Sequence, residues 1–242
     1  MPKFNTLTIL LPAQNAESHI ISILQRVCRA NLPGYVQKQI IIIDSAAAND
    51  NTETLTKDFI GNGWRPEAEF KYLKLPNGHN LFEVWQAVLP FVKGEYILWQ
   101  TPHQNYHPEE YLNEVVRAAY IQGAQLVFTI RGQYKPKVLP QLYGGKWAYD
   151  LTKLAANFFS DLPLIDPNTG CLLLNTELAK NFVRDATDKI RALNNQLGLN
   201  LYLHQYFISE QHNSGNDGTI FEVEIPYTLP IYSTGRVKNK ML

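Results

Sequence analysis

At 242 residues, 45% of them apolar and 18% charged, the chain can bury one large core and is too apolar to be disordered. Its 22 basic and 22 acidic side chains cancel, which excludes the electrostatic footprint of a nucleic-acid binder. Two cysteines, Cys28 and Cys171, are too few for a disulfide framework and too far apart for a CxxC centre. Both lie in apolar surroundings and read as buried thiols of a reducing compartment.

Leu7–Leu11 is a continuous apolar run stopped by Pro12, as in a strand buried on both faces. Glu17–Ala30 carries apolar residues at helical spacing, and Gln39–Ile43 is a second β-branched run that ends at Asp44. Thr52–Phe59 reads as a short amphipathic helix, Phe70–Leu75 as a strand, and Leu81–Val92 as a helix stopped near Gly94. Tyr96–Trp99 is a fourth strand, Pro108–Gly123 a helix and Gln125–Ile130 a fifth strand. Beyond residue 135 the spacing predicts helices over Lys146–Leu162, Thr176–Leu193 and Leu199–Ser209. Asp166–Gly170 has the chemistry of a turn, and Phe221–Pro226 is a last strand.

Strands alternating with helices predict an α/β domain, a mostly parallel central sheet flanked by helices. Ligands of such sheets bind at the carboxyl ends of the strands. That directs attention to Pro12–Glu17, Asp44–Thr52, Asn77–Asn80, Gln100–His107 and Arg131–Lys135. No linker divides residues 1–242, so a single domain is expected, with a donor-site half of about 1–130 and an acceptor-site half of about 131–242. No apolar run approaches the ~18 residues of a membrane span. The first residues do not read as a signal peptide, so the expected setting is cytoplasmic.

Six fragments fall in family order. Pro12-Ala13-Gln14-Asn15-Ala16 matches a P-A-Y-N-E turn, Asp44 to Thr52 a D-D-G-S-x-D-x-T segment, and Gly94-Glu95-Tyr96 a G-D-Y. Asp166 to Cys171 matches D-P-T-S-G-F, Val223 to Pro226 an E-V-P-I strand, and Gly235 to Lys238 a closing G-x-S-K. Together they resemble the family 2 glycosyltransferases, most closely the polyprenyl-phosphate hexosyltransferases of the dolichol-phosphate mannose synthase type. The resemblance implies a GT-A-like fold, a nucleotide-sugar donor and a lipid-phosphate acceptor. It places Pro12, Asn15, Asp44, Asp50, Gln100 and Gln104 around the donor. Arg131 and Lys238 fall at the acceptor phosphate, where a guanidinium binds bidentately. Gln100 and Arg131 are the candidate catalytic residues.

Where the family's D-x-D holds Mg²⁺ or Mn²⁺ against the departing diphosphate, this chain has Gln100-Thr101-Pro102. Proline offers no ligand, so no cofactor and no metal ligand is expected. His103, His107, Glu109 and Glu110 follow, but their spacing fits a polar loop better than a substitute metal site. Bulky Leu81-Phe82-Glu83-Val84-Trp85 replaces a glycine-rich helix start and is expected to narrow the donor pocket. The apolar face of Lys146–Leu162, with Lys135, Lys137 and Lys146 near it, fits a helix lying on the inner face of a membrane. Loss of both aspartates leaves an alternative: a catalytically dead pseudo-glycosyltransferase that binds or scaffolds a protein partner.

Overall fold

The structure, a computed structural model, describes residues 4–45, 50–62, 68–76, 78–132, 166, 169–192, 196–214 and 219–227. Seven strands form one sheet: β1 Thr6–Pro12, β2 Gln37–Asp44, β3 Ala68–Lys74, β4 Tyr96–Gln100, β5 Ala124–Arg131, β6 Cys171–Asn175 and β7 Thr219–Ile225. Their order is β3-β2-β1-β4-β6-β5-β7. All neighbours are parallel except β6, which runs antiparallel to both β4 and β5. The mostly parallel α/β architecture is the one expected.

The helices are α1 Ile20–Arg29, α2 Thr52–Gly61, α3 Leu81–Val88, α4 Pro108–Gln122, α5 Thr176–Arg184, α6 Asp188–Arg191 and α7 Gln196–Ser214. Side chains alternate along each strand, so the sheet builds a separate core on each face. Leu7, Ile9, Leu11, Ile40, Ile42 and Leu98 pack against α1, α2 and α4. Leu10, Ile41, Ile43, Ile97, Trp99 and Phe128 pack against α3 and α5–α7. Both cysteines are buried and unbridged, Cys28 in α1 and Cys171 at the start of β6.

Local chemistry sets several boundaries. Glu17–His19 is a turn, so α1 begins only at Ile20. Asn80 caps α3 by accepting from Glu83 N at 2.9 Å, and the Glu83 carboxylate accepts from Asn80 N at 2.8 Å. The helix expected over Leu81–Val92 tightens after Val88 into a 3-10 turn at Leu89–Phe91, where Pro90 has no N–H to give. Gly123 takes the left-handed conformation, φ 73°, and closes α4. The single helix expected over Thr176–Leu193 breaks at Asp185 into α5 and α6. A Cβ on Gly94 would fall 2.5 Å from Thr8 N and 2.8 Å from Thr6 O, so only glycine lets the chain enter β4 this close to β1.

One strand was not expected. Cys171–Asn175 is only five residues long and has no alternation, yet it slots between β4 and β5. The helix expected at Lys146–Leu162, its membrane contact, and Lys238 all lie outside the described residues. Among the described residues no helix is long and apolar enough to cross a membrane.

Candidate active site

A cavity of about 410 Å³ opens at the carboxyl ends of β1, β2 and β4, on the α3 and α7 side of the sheet. Pro12 and Gln14 line it from the turn after β1, and Ile43 and Ser45 from the end of β2. Trp99, Thr101, Pro102 and His103 line it from β4 and the loop beyond. His79, Leu81 and Val84 close one wall, and Gln196 at the start of α7 and His19 before α1 close the rest. Trp99 is braced from behind by Trp85, stacked at 5.3 Å and 13°. The bulky start of α3 therefore does line the pocket, through Leu81 and Val84, while Phe82 and Trp85 are buried in the core.

The strand alternation that builds this wall turns the two principal sequence candidates away from it. Asp44 follows Ile43 and Gln100 follows Trp99, so both face the opposite core. Asp44 is buried, accepts a short hydrogen bond from the Tyr72 hydroxyl, and pairs with Lys74 Nζ at 3.0 Å. Burial, together with this carboxylate, pushes the Tyr72 phenol far above its ordinary value. Gln100 is wholly buried; its Nε2 donates to Thr101 O at 2.8 Å and its Oε1 accepts from Tyr111 at 2.6 Å. Gln100 does not line the cavity, and each end of its amide makes a hydrogen bond inside the fold.

The remaining candidates are spread. Pro12 lines the cavity. Asn15 sits exposed in the turn with φ 50°, and its neighbour Gln14 is the lining residue instead. Asp50 accepts from Thr52 N at 3.0 Å and from the Thr52 hydroxyl at 2.6 Å, holding the start of α2. Thr52 Oγ1 in turn accepts from Ala16 N at 3.0 Å, tying that helix to the first turn. Gln104 is exposed and contributes its carbonyl to Arg26 at 3.1 Å.

Arg131 lies apart from the cavity. Its Nε and Nη2 donate to Asp166 at 2.6 and 2.7 Å, and its guanidinium carbon stands 5.4 Å from the Tyr227 ring. Burial pulls the guanidinium down, but the hydrogen bonds and charge of Asp166 outweigh it and leave the group above its ordinary value. The two regions meet through the turn that follows Asp166. Gly170 O accepts from Thr101 N at 2.9 Å and from Thr101 Oγ1 at 2.8 Å, and Gly170 N donates to the buried Tyr106 hydroxyl at 2.9 Å.

These residues do not fit the divalent cation of the D-x-D pattern. Gln100 is bonded inside the fold, Thr101 is bonded to Gly170, and Pro102 has no side-chain ligand atom. Among the described residues, one group of three or more His, Cys, Asp or Glu comes close enough to share an ion: His107, Glu109 and Glu110. There Arg26 Nη1 donates to His107 Nδ1 at 3.1 Å, and Arg26 Nε stands 3.7 Å from Glu109. A fixed positive charge already occupies that cluster, and none of its members lines the cavity.

Sequence reasoning missed His19 and His79 and weighed His103 only as part of a substitute metal site, not as a lining residue of the cavity. Among the described residues, His19, His79 and His103 are its titratable lining residues, with no Asp, Glu, Lys or Arg beside them. His19 is held below its ordinary value by burial first and by the charge of His103 second, with Asp50 opposing. The available signal was position alone: each falls in, or next to, a segment that follows a strand.

Residues 8–181 match the sequence model of Glycosyl transferase family 2. The fold resembles glucosyl-3-phosphoglycerate synthase from Mycobacterium tuberculosis in complex with uridine diphosphate, at 21% identity and a TM-score of 0.59, over 93% of this chain and 72% of that one. It also resembles the mannosyltransferase PcManGT from Pyrobaculum calidifontis, in complex with GDP-Man and Mn²⁺, at 11% identity and a TM-score of 0.62. That match covers 96% of this chain and 59% of the mannosyltransferase. Mannosyl-3-phosphoglycerate synthase from Rubrobacter xylanophilus aligns at 14% identity and a TM-score of 0.55, over 94% and 68% of the two chains. At these identities the likeness is one of fold. No curated protein matches the chain in sequence.

Proposed function

Since the chain belongs to glycosyl transferase family 2, we propose that it transfers a hexose from a nucleoside diphosphate sugar to a polyprenyl phosphate or similar phosphate acceptor, without a divalent cation. The observation that carries this reading is the cavity at the strand ends of a family 2 fold, which among the described residues is lined by no carboxylate. A cation site built from carboxylates has nothing to build on among those residues. An aromatic floor at Trp99, amides at Gln14 and Gln196 and hydroxyls at Ser45 and Thr101 suit a base, a ribose and a sugar.

In the transfer, an acceptor phosphate oxygen forms its bond to the anomeric carbon as the bond from that carbon to the diphosphate oxygen breaks. The electron pair leaves with the nucleoside diphosphate, and groups that donate to that diphosphate lower the barrier. Arg131, set by Asp166 and Tyr227 and charged at every working pH, is the cation on the acceptor side in this reading.

The test is transfer from UDP-glucose and GDP-mannose to polyprenyl phosphate, followed by mass spectrometry of the lipid, in EDTA and then in Mn²⁺. Product at comparable rates in both supports the reading. Product only with Mn²⁺ overturns its metal-free part. Binding without product in either condition identifies a donor-binding protein that does not catalyse.

A further inference from the structure

Resting on the donor-site reading above, we infer that His19, His79 and His103 replace the divalent cation and hold the donor's diphosphate as hydrogen-bond donors, His19 and His79 in their protonated forms and His103 as a neutral ring. Three imidazoles line one cavity, and no other titratable side chain lines it among the described residues. Imidazole is the side chain whose charge changes near neutrality, so such a site gains positive charge on demand rather than carrying it permanently. A diphosphate is the anion of this donor class, and hydrogen bonds from a charged group to phosphate oxygen are about twice as strong as neutral ones.

The hydrogen bonds of each ring say how it would act. His103 Nδ1 accepts from Asn105 N at 3.3 Å, so the neutral ring carries its proton on Nε2 and can donate without being charged. His79 Nδ1 stands 2.8 Å from the carbonyl of Pro76, which can only accept. The neutral His79 ring therefore keeps a lone pair on Nε2 and must take a second proton before that nitrogen can donate. His19 Nδ1 is 2.9 Å from the Ser18 hydroxyl. The charge of His103 opposes protonation of His19, and a bound diphosphate would relieve that repulsion.

Among the described residues, Asp50, before α2, favours the charged form of His19. Lys74 at the end of β3 is engaged with Asp44 and Glu53, and Arg191 of α6 with the Ala186 carbonyl at 3.1 Å. The rings also do not form a metal site of their own. They are absent from the set of His, Cys, Asp and Glu side chains close enough to share an ion.

The inference predicts that donor binding takes up protons. UDP-glucose and GDP-mannose are diphosphate diesters with no group that titrates between about pH 5 and pH 8, so any uptake belongs to the protein. Calorimetric titrations would be run in EDTA from about pH 8 down to pH 6, in two buffers of different ionisation enthalpy, with circular dichroism confirming the fold at each pH. Affinity should rise roughly tenfold over that range, with net proton uptake. His79→Gln and the pair His19→Gln with His79→Gln keep an N–H donor but cannot be charged, and they should flatten the rise and the uptake. His103→Gln, which replaces a ring able to donate uncharged, should retain both. Sugar-nucleotide binding that is flat with pH, or a slope that survives in the double variant, overturns the histidine assignment and leaves the donor reading standing. No binding of sugar nucleotide or nucleoside at any pH overturns the donor reading, and the inference with it.

Discussion

The hydroxyl of Tyr111, on α4, donates across 2.6 Å to the side-chain oxygen of Gln100 at the end of β4, and both residues are sealed from solvent. Gln100 is thereby a strut between the sheet and α4. Tyr111→Phe removes the donor and leaves a buried amide oxygen without it, which costs about 1–3 kcal/mol. Urea denaturation should show that loss, whereas the affinity for UDP-glucose should not change. A large fall in affinity with unchanged stability would return Gln100 to the binding site.

Asp166 and Arg131 form a pair whose carboxylate side chain is 2% exposed and whose guanidinium side chain is 12% exposed. Asp166→Ala leaves the guanidinium buried without its counter-charge, at a cost of about 3–5 kcal/mol. The double variant Asp166→Leu with Arg131→Met removes both charges and should recover much of that loss. Chemical denaturation of wild type, single and double variants checks it.

Gly170 joins the cavity rim to the Arg131 side of the fold. A Cβ there would collide with Thr101 Oγ1 and fall 3.0 Å from both Thr101 Cβ and the Tyr106 hydroxyl. Overpacking of this kind costs about 1–3 kcal/mol. Gly170→Ala should lower the melting temperature and also weaken nucleotide binding, because the displaced Thr101 lines the cavity. A variant with lowered stability and unaltered binding would show that the rim absorbs the shift.

His204 of α7 is buried beside Phe128, ring centroids 5.8 Å apart, and its Nδ1 finds no hydrogen-bond partner among the described residues. Burial holds it below its ordinary value of 6.5, and His19 is held below that value too. A base depressed in the fold binds its proton more readily when unfolded. Stability is therefore full above about pH 6.5 and falls with acidification towards the folded-state value. His204→Leu should flatten that acid limb of the stability profile, measured by thermal unfolding at a series of pH values. An unchanged slope would place the proton-linked loss elsewhere.

The sheet was legible because its parallel strands are buried on both faces and read as unbroken apolar runs ending at Pro12, Asp44 and Gln100. The same property hid the site. A strand that is apolar on every residue shows no alternation of polarity, so the sequence cannot say which of its two faces looks towards the site. Four of the five loop segments contribute residues that line the cavity, Pro12 among them, while other residues chosen within them lie beside a lining residue: Asp44 beside Ile43 and Ser45, Gln100 beside Trp99 and Thr101, Asn15 beside Gln14. Which set faces α3 is decided by the packing of two cores, a property of the folded sheet alone. β6 escaped for a related reason, since its partners are distant in sequence and it has no pattern of its own.

The position of β6 also bears on how the molecule is made. β4 and β5 do not touch as neighbours; each pairs with β6 from its own side. As the chain leaves the ribosome, the outer edge of β4 stays unpaired until Asn175 has been synthesised, and β5 has no seat in the sheet before then. Residues 1–131, although they hold most of the cavity wall, would emerge with an open sheet edge and a detached strand. A chaperone or a holding interaction would be most useful to this chain during that interval of synthesis.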